Sequence, residues 1–217
     1  MRNGVCGEVG KVYCYRVDIL LLVEVESGTI SLDGVDLSRL GLSDVRGRRN
    51  GMFILPQDPA IFSGTIRSNL DPFLMHSDED IIRALELVKF PHKVLNTVVE
   101  EGGSNFSQGE KQLLCLCRAM LANPRLLVLD EATSSVDNTT DEFVQQMLRS
   151  QFPNTTLLTI AHRLNTVIDY DVVIVMESGK VAEVGSPKEL PSSAGIFADM
   201  VNATGTESAA QLRLLAK

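Results

Sequence analysis

Apolar and polar positions along this chain fall into short blocks whose spacing keeps changing, and each change marks an element. Thr29-Ile30-Ser31-Leu32 alternates and meets Asp33-Gly34 before Val35-Asp36-Leu37, which predicts a tight β-hairpin. Met52 to Leu55 predicts a buried strand ending at Pro56. Thr65 to Leu70 reads as a short helix broken by Asp71-Pro72. Ser77 reads as the cap of a helix running to about Val88, with Asp78, Glu79 and Asp80 beside its positive end and Pro91 closing it. Ser107 and Glu110 have the spacing of a capping box. Leu113, Leu116, Cys117, Met120 and Leu121 then recur at helical spacing as one buried stripe, and Asn123-Pro124 stops the helix.

The next block, Leu126 to Leu129, is uninterrupted and apolar, and suits a parallel strand buried on both faces. Asp130 and Glu131 fall at its carboxyl end, where open α/β sheets place their ligands. The bland alternative is a buried strand that ends in a polar turn. After Asp137 a helix is predicted to about Ser150, with Phe143, Met147, Val144 and Leu148 on one face. Thr155 to Ile160 reads as a strand delivering His162. Val172 to Met176 reads as another, turned at Ser178-Gly179 into a strand through Val184. Pro187 starts a short helix and Gly195 to Asn202 forms a further one, while Ala203 to Lys217 reads either as a helical extension or as a frayed tail. Strands alternating with helices imply an α/β fold with a mostly parallel sheet and right-handed crossovers.

Composition narrows the field. At 217 residues the chain can bury one good core. The net charge of −8 opposes a nucleic-acid surface, so no nucleic acid is expected as a partner, and Arg46, Arg48 and Arg49 read as a solvated loop. The apolar run from Ile19 to Val23 is far short of the roughly 20 residues a membrane helix needs, and Met1-Arg2-Asn3-Gly4 leads into no secretory h-region. Cys115 and Cys117 point in different directions on a helix, and Cys6 and Cys14 lack metal-ligand spacing, so free thiols are expected.

Two segments carry chemistry. Phe106-Ser107-Gln108-Gly109-Glu110 resembles the signature motif, and Leu126-Leu127-Val128-Leu129-Asp130-Glu131-Ala132-Thr133 the Walker B motif, of ABC transporter ATPase domains. Ser134-Ser135-Val136-Asp137 resembles the family's D-loop, Ala161-His162-Arg163 its switch histidine, and Leu55-Pro56-Gln57-Asp58-Pro59 its Q-loop. These motifs stand in the family's order from Leu55 to Arg163, which makes the combination highly specific. The wording around Phe62 to Pro72 and at Asn105-Phe106-Ser107 most resembles the second nucleotide-binding domain of the multidrug-resistance-associated (C) subfamily, and the resemblance covers about Val23 to Val201.

The resemblance implies a P-loop NTPase-like sheet with flanking helices, an antiparallel β hairpin region and a helical subdomain at about 65–122. It implies a single ABC ATPase domain over 1–202 that begins inside the family's pattern, followed by a C-terminal tail at 203–217. ATP and Mg²⁺ are the implied cofactors. Asp130 would hold Mg²⁺ through water, and Glu131 would be the general base at the γ-phosphate. Gln57 would touch Mg²⁺ and the attacking water, and His162 would donate to the γ-phosphate. Ser107, Gln108 and Gly109 would act in trans on ATP held mainly by another domain, and Asp137 would hold the dimer interface. Glu110 stands where the family commonly has Gln.

ATP binding in such domains depends on Gly-x4-Gly-Lys-Ser/Thr, whose backbone N–H groups and Lys cradle phosphates while its hydroxyl holds the metal. This chain offers Gly4-Val5-Cys6-Gly7-Glu8-Val9-Gly10-Lys11-Val12, with Gly7, Gly10 and Lys11 as the phosphate-binding residues. Gly4 is one residue too far from Gly10, Glu8 and Val9 bring charge and bulk into the cradle, and Val12 has no hydroxyl. Either the domain lost its own site and lends Ser107 and Gly109 to a partner, or a local shift of reading frame altered the stretch between Gly7 and Val23.

The implied function is that of a nucleotide-binding domain of an ABC exporter. It would hydrolyse ATP to drive transport, paired head to tail with a second nucleotide-binding domain and joined to transmembrane domains at the cytoplasmic face of a membrane. A degenerate, non-hydrolysing domain supporting a partner site is the alternative. DNA-repair and chromosome-structure ATPases share the signature motif but need long coiled-coil insertions, and none lies between Lys11 and Ser107.

Overall fold

The computed structural model describes residues 2–7, 28–41, 44, 51–91, 94–130, 138–161, 164–192 and 194–216, with the strand at 2–7 and residue 138 described by backbone alone. In chain order the strands are β1 (Arg2–Gly7), β2 (Ser31–Leu32), β3 (Val35–Asp36), β4 (Met52–Leu55), β5 (Gly64–Thr65), β6 (Val98–Val99), β7 (Leu126–Asp130), β8 (Thr156–Ala161), β9 (Val172–Glu177) and β10 (Lys180–Gly185). The α-helices are α1 (Ile66–Leu70), α2 (Asp78–Leu87), α3 (Gln108–Ala122), α4 (Asn138–Gln151), α5 (Leu164–Val167), α6 (Ile196–Ala203) and α7 (Thr206–Leu215). The chain divides into two compact units, 1–47 with 128–131 and 156–217, and 48–127 with 132–155.

In the first unit β1 lies between β8 and β9 and runs parallel to both, pairing Val5 with Ile160 and with Ile174. Antiparallel β10 closes that edge beside β9, with an irregularity between Val181 and Glu183, and residues 128–130 of β7 continue the order beyond β8. The β9–β10 turn at Ser178-Gly179 has φ of 51° and 76°, the left-handed pair that a two-residue hairpin turn demands. Asp33-Gly34 turns β2 into β3 the same way, with φ of 50° and 79°. Leu37, expected to extend the return strand, instead opens a 3-10 turn, because the Asp36 carboxylate caps it by accepting the Ser38 N–H at 3.0 Å.

One face of this sheet is covered by α5, α6 and α7, which bury Leu164, Val167, Phe197, Val201, Ala209 and Leu212 against Ala161, Val173 and Val175. The stretch 203–217 therefore contains a helix that inserts two side chains into the core. Pro187 does not start a helix: 187–189 form a turn and Leu190–Ser192 a 3-10 turn, with Leu190 buried. The amino end of α6 takes its cap from a distant strand, since Ile196 and Phe197 donate their N–H groups to the Glu183 carboxylate on β10.

The second unit is helical around α3, which packs against α1, α2, α4 and β4. Thr65 caps α1, and Ser77 caps α2 by accepting the Asp80 N–H. The end of α2 differs from the expectation that Pro91 closes it. Lys89 takes φ of 53°, and Lys89 and Phe90 donate to the carbonyls of Glu86 and Leu85 at 3.0 and 2.9 Å. That is a Schellman closure, and the chain has already left the helix before the proline. At the far end of α3, Asn123 adopts the left-handed conformation with φ of 43°, as a C-capping Asn can.

Burial on α3 also differs from the single stripe that the spacing suggests. Leu116 and Cys117 are buried, but Leu113, Met120 and Leu121 are only half-buried, and Gln112, Leu114, Cys115 and Ala119 complete the buried set. Packing by four neighbouring elements spreads contact around the helix and erases a one-sided pattern.

Candidate nucleotide-binding site

The start of α3 is built by the residues before it. Phe106 is buried against Phe90, with ring centroids 6.1 Å apart, and this anchor leaves the next residue, Ser107, at the surface. Asn105 folds the preceding loop back, accepting the Glu100 N–H at 3.0 Å and donating to the Val98 carbonyl at 2.8 Å. Gly102 and Gly103 make the bend, and Gly103 has no room for a side chain: with φ of +64°, an added Cβ would lie 2.8 Å from the Ile61 Cγ2.

Ser107 Oγ accepts the Glu110 N–H at 3.2 Å, and the Ser107 N–H donates to Glu110 Oε2 at 2.8 Å, so the expected capping box is present in full. The N–H groups of Gln108 and Gly109 lie in the first turn, where no intrahelical carbonyl reaches. With the helix dipole, that makes this end suited to an anion. Gly109 is not needed for packing, since an added Cβ would meet nothing closer than the Thr140 Cγ2 at 3.6 Å. Gln108 is half-buried.

Gln57 follows β4 in the same unit and is half-buried. Its backbone carbonyl accepts from Gln112 Nε2 at 2.8 Å, which ties the Gln57 peptide to α3. A second clamp lies further along. Arg118 donates through Nη1 to the Ala60 carbonyl at 2.6 Å and through Nε to the Asn69 carbonyl at 2.7 Å. Asn69, only 3% exposed, accepts from Arg118 Nη2 at 2.9 Å and the Phe62 N–H at 3.0 Å, and donates to the carbonyls of Phe62 and Thr65. None of Gln112, Asn69 or Arg118 stands out as a motif. The available signal is one amide and one guanidinium inside an apolar helical run, residues that are seldom buried without a partner.

Arg118 and Asn69 border a groove of about 430 Å³ that is also lined by Phe53, Phe62, Leu70 and Met75. Phe62, Phe73 and Leu74 are 65%, 62% and 76% exposed beside or near it. The loop carrying Phe73 to Met75 is held by Asp71, a buried carboxylate that accepts the His76 N–H at 2.7 Å and pairs with Arg67. Burial pushes its pKa up, but the amides of His76 and Met75 with the charges of His76 and Arg67 outweigh that and hold it below the ordinary value.

In the other unit Asp130 is the last residue of β7, 5% exposed, at the carboxyl end of a strand buried along its whole length. A carboxylate is a hard oxygen donor of the type Mg²⁺ takes, usually through retained water. Gly7 ends β1, paired with Met176 of β9. Glu131, Asp137, His162, Gly10 and Lys11 lie outside the described residues. Among the described residues no cluster of His, Cys, Asp and Glu could hold a metal by itself. Cys115 and Cys117 are free and buried.

The ABC transporter family model matches residues 17–134. Mouse ATP-binding cassette sub-family C member 2 is 46% identical over 212 residues, covering 94% of this chain and 14% of that protein. Rat ATP-binding cassette sub-family C member 3 is 47% identical over 190 residues, 85% of this chain and 12% of that protein. ABC transporter C family member 12 of Dictyostelium discoideum is 43% identical over 222 residues, 97% of this chain and 17% of that protein. The chain thus spans a small part of the length of the curated relatives it matches. Among solved structures, a bacterial Atm1-family ABC exporter with ATP bound superposes with a TM-score of 0.85 at 27% identity, over 94% of this chain and 37% of that one.

Proposed function

This chain belongs to the ABC transporter family, and we propose that it acts as the nucleotide-binding domain of an exporter, hydrolysing ATP at a site shared with a second such domain. The observation that carries the reading is the start of α3: a capped turn with Ser107 at the surface, first-turn N–H groups that no intrahelical carbonyl reaches, and a glycine that packing among the described residues does not require. A surface of that kind is suited to an anion that approaches from outside the chain.

Within the proposal each residue does one thing. Ser107, Gln108 and Gly109 bind phosphate oxygens of a nucleotide held by the partner domain. Asp130 orients metal-bound water, and Glu131 accepts the proton of the attacking water. Gln57 positions that water, His162 donates to the γ-phosphate, Gly7, Gly10 and Lys11 lie against the phosphates, and Asp137 contacts the partner. When bound, Mg²⁺ supplies charge neutralisation at the β- and γ-phosphates. The apolar groove beside Phe62 and Met75 is the surface on which transmembrane domains would dock, placing the chain at the cytoplasmic face of a membrane. No helix among the described residues is long and apolar enough to cross a membrane.

A second reading is favoured by one feature: Glu8, Val9 and Val12 stand where a phosphate cradle needs small residues and a hydroxyl. On that reading the chain hydrolyses nothing itself and lends the α3 start to its partner. Purified chain mixed with a partner domain carrying an intact P-loop separates the two. Hydrolysis slowed by Glu131→Gln supports an active site on this chain, whereas hydrolysis insensitive to Glu131→Gln but lost with Ser107→Arg supports the second. Failure of the mixture to bind Mg-ATP defeats both.

A further inference from the structure

Gln112 is buried inside α3, with 1% of its surface exposed, and the family resemblance assigns it no role here. A buried amide is costly unless both of its ends pair. Nε2 donates to the Gln57 carbonyl at 2.8 Å and lies 3.3 Å from that of Pro56. Oε1 is buried with no hydrogen-bond partner among the described residues. A methionine would fill the same volume and remove the unpartnered Oε1, but it would take the donor away from the Gln57 carbonyl. The amide is therefore poorly explained by packing and well explained by what its donor end does to the backbone at Gln57.

Among the described residues, α3 holds that backbone at two points. Gln112 takes the carbonyl of Gln57, and Arg118 takes that of Ala60. The helix that begins at Ser107 thus carries the Gln57 segment along its side. We propose that Gln112 is a positioning residue for ATP hydrolysis: its Nε2 fixes the Gln57 peptide on α3, and so sets the place of the Gln57 side chain by reference to the helix that Ser107 caps. The proposal rests on the role given to Gln57 above. Fixing this peptide before the substrate arrives removes an ordering cost from the reaction step, where alignment of the attacking water decides the rate.

Gln112→Met keeps the volume and removes the donor, while Gln112→His keeps a ring N–H at similar reach. Both are compared with the unaltered chain, mixed with a partner domain carrying an intact P-loop. The readouts are amide hydrogen exchange across residues 57–62, Mg-ATP affinity, and turnover at saturating Mg-ATP. Gln112→Met is expected to speed exchange there about tenfold and to cut turnover about tenfold, with affinity within about twofold, because the group acts after binding. Gln112→His is expected to recover most of both losses. Unchanged exchange in Gln112→Met overturns the proposal, and so does unchanged turnover despite faster exchange. If the unaltered mixture shows no turnover, the hydrolysis reading fails separately, and the exchange comparison still decides whether Gln112 holds Gln57. Should Gln112→Met not fold, Gln112→Leu, which also removes the donor and adds no buried charge, takes its place with the same expectations.

Discussion

Ser107 Oγ lies 2.8 Å from Glu110 Oε2, and the same carboxylate oxygen takes the Ser107 backbone N–H at 2.8 Å. The hydroxyl expected to meet a phosphate is thus already donating to an anion. A helix start that should attract negative charge carries one of its own, one turn in.

Glu110→Gln tests what that charge does. A glutamine serves a capping box as well as a glutamate, so the fold should melt within a degree or two of the unaltered chain. Two unit charges about 4 Å apart in water repel by ~1 kcal/mol. Removing one should therefore tighten ATP-dependent pairing with a partner domain about fivefold, read by sedimentation in Mg-ATP. Pairing that stays the same or weakens would mean the carboxylate does not face the nucleotide.

Two glycines should respond oppositely to alanine. At Gly109 a Cβ meets only ordinary contact with Thr140, and alanine in a helix is favoured over glycine by about 0.5–1 kcal/mol, so Gly109→Ala should melt slightly higher yet lose nucleotide-dependent pairing. At Gly103 the positive φ and the Ile61 methyl leave no room, so Gly103→Ala should cost about 1–3 kcal/mol in a denaturant titration. If Gly109→Ala pairs normally with Mg-ATP, close phosphate approach there is wrong.

Asp71 gives the acid limb of stability a sign. Its folded pKa lies below the ordinary value of 3.8. The carboxylate therefore contributes stability that is complete above that value and is lost as pH falls from there through the lower folded pKa. Asp71→Asn should destabilise the chain at neutral pH and flatten stability against pH below about 4. Parallel curves for the two proteins down to pH 2 would contradict a carboxylate held below its ordinary pKa by the His76 and Met75 amides and the nearby charges.

The thiols of Cys115 and Cys117 should be inert in the folded chain. Burial raises both pKa values, and Arg118 only partly offsets this at Cys115. In a chain with Cys6→Ser and Cys14→Ser, an aromatic disulfide reagent at pH 8 should label neither thiol until denaturant is added. Labelling at the rate of a free thiol would show that α3 opens readily.

Much of the fold could be read from local wording, because caps and turns are satisfied by groups a few residues away. Ser107 with Glu110, Ser77 with Asp80, Asp33-Gly34 and Ser178-Gly179 form where their spacing places them. The uninterrupted run Leu126 to Leu129 likewise became a strand buried throughout, with Asp130 at its end. The same wording misjudged α3, where Leu113, Met120 and Leu121 are half-buried, and the end of α2, where Lys89 closes the helix ahead of Pro91. Which side of a helix is covered depends on neighbours that arrive from distant parts of the chain. The tie between Gln112 and Gln57 spans 55 residues and the clamp of Arg118 on Ala60 spans 58, so the local wording shows polar groups inside an apolar run but not what they hold. Chain chemistry alone was enough to say that a capped helix start and a carboxylate-tipped strand exist. Only folding decided which buried amide would hold Gln57 in place, because that choice depends on the shape of the space between α3 and the segment after β4.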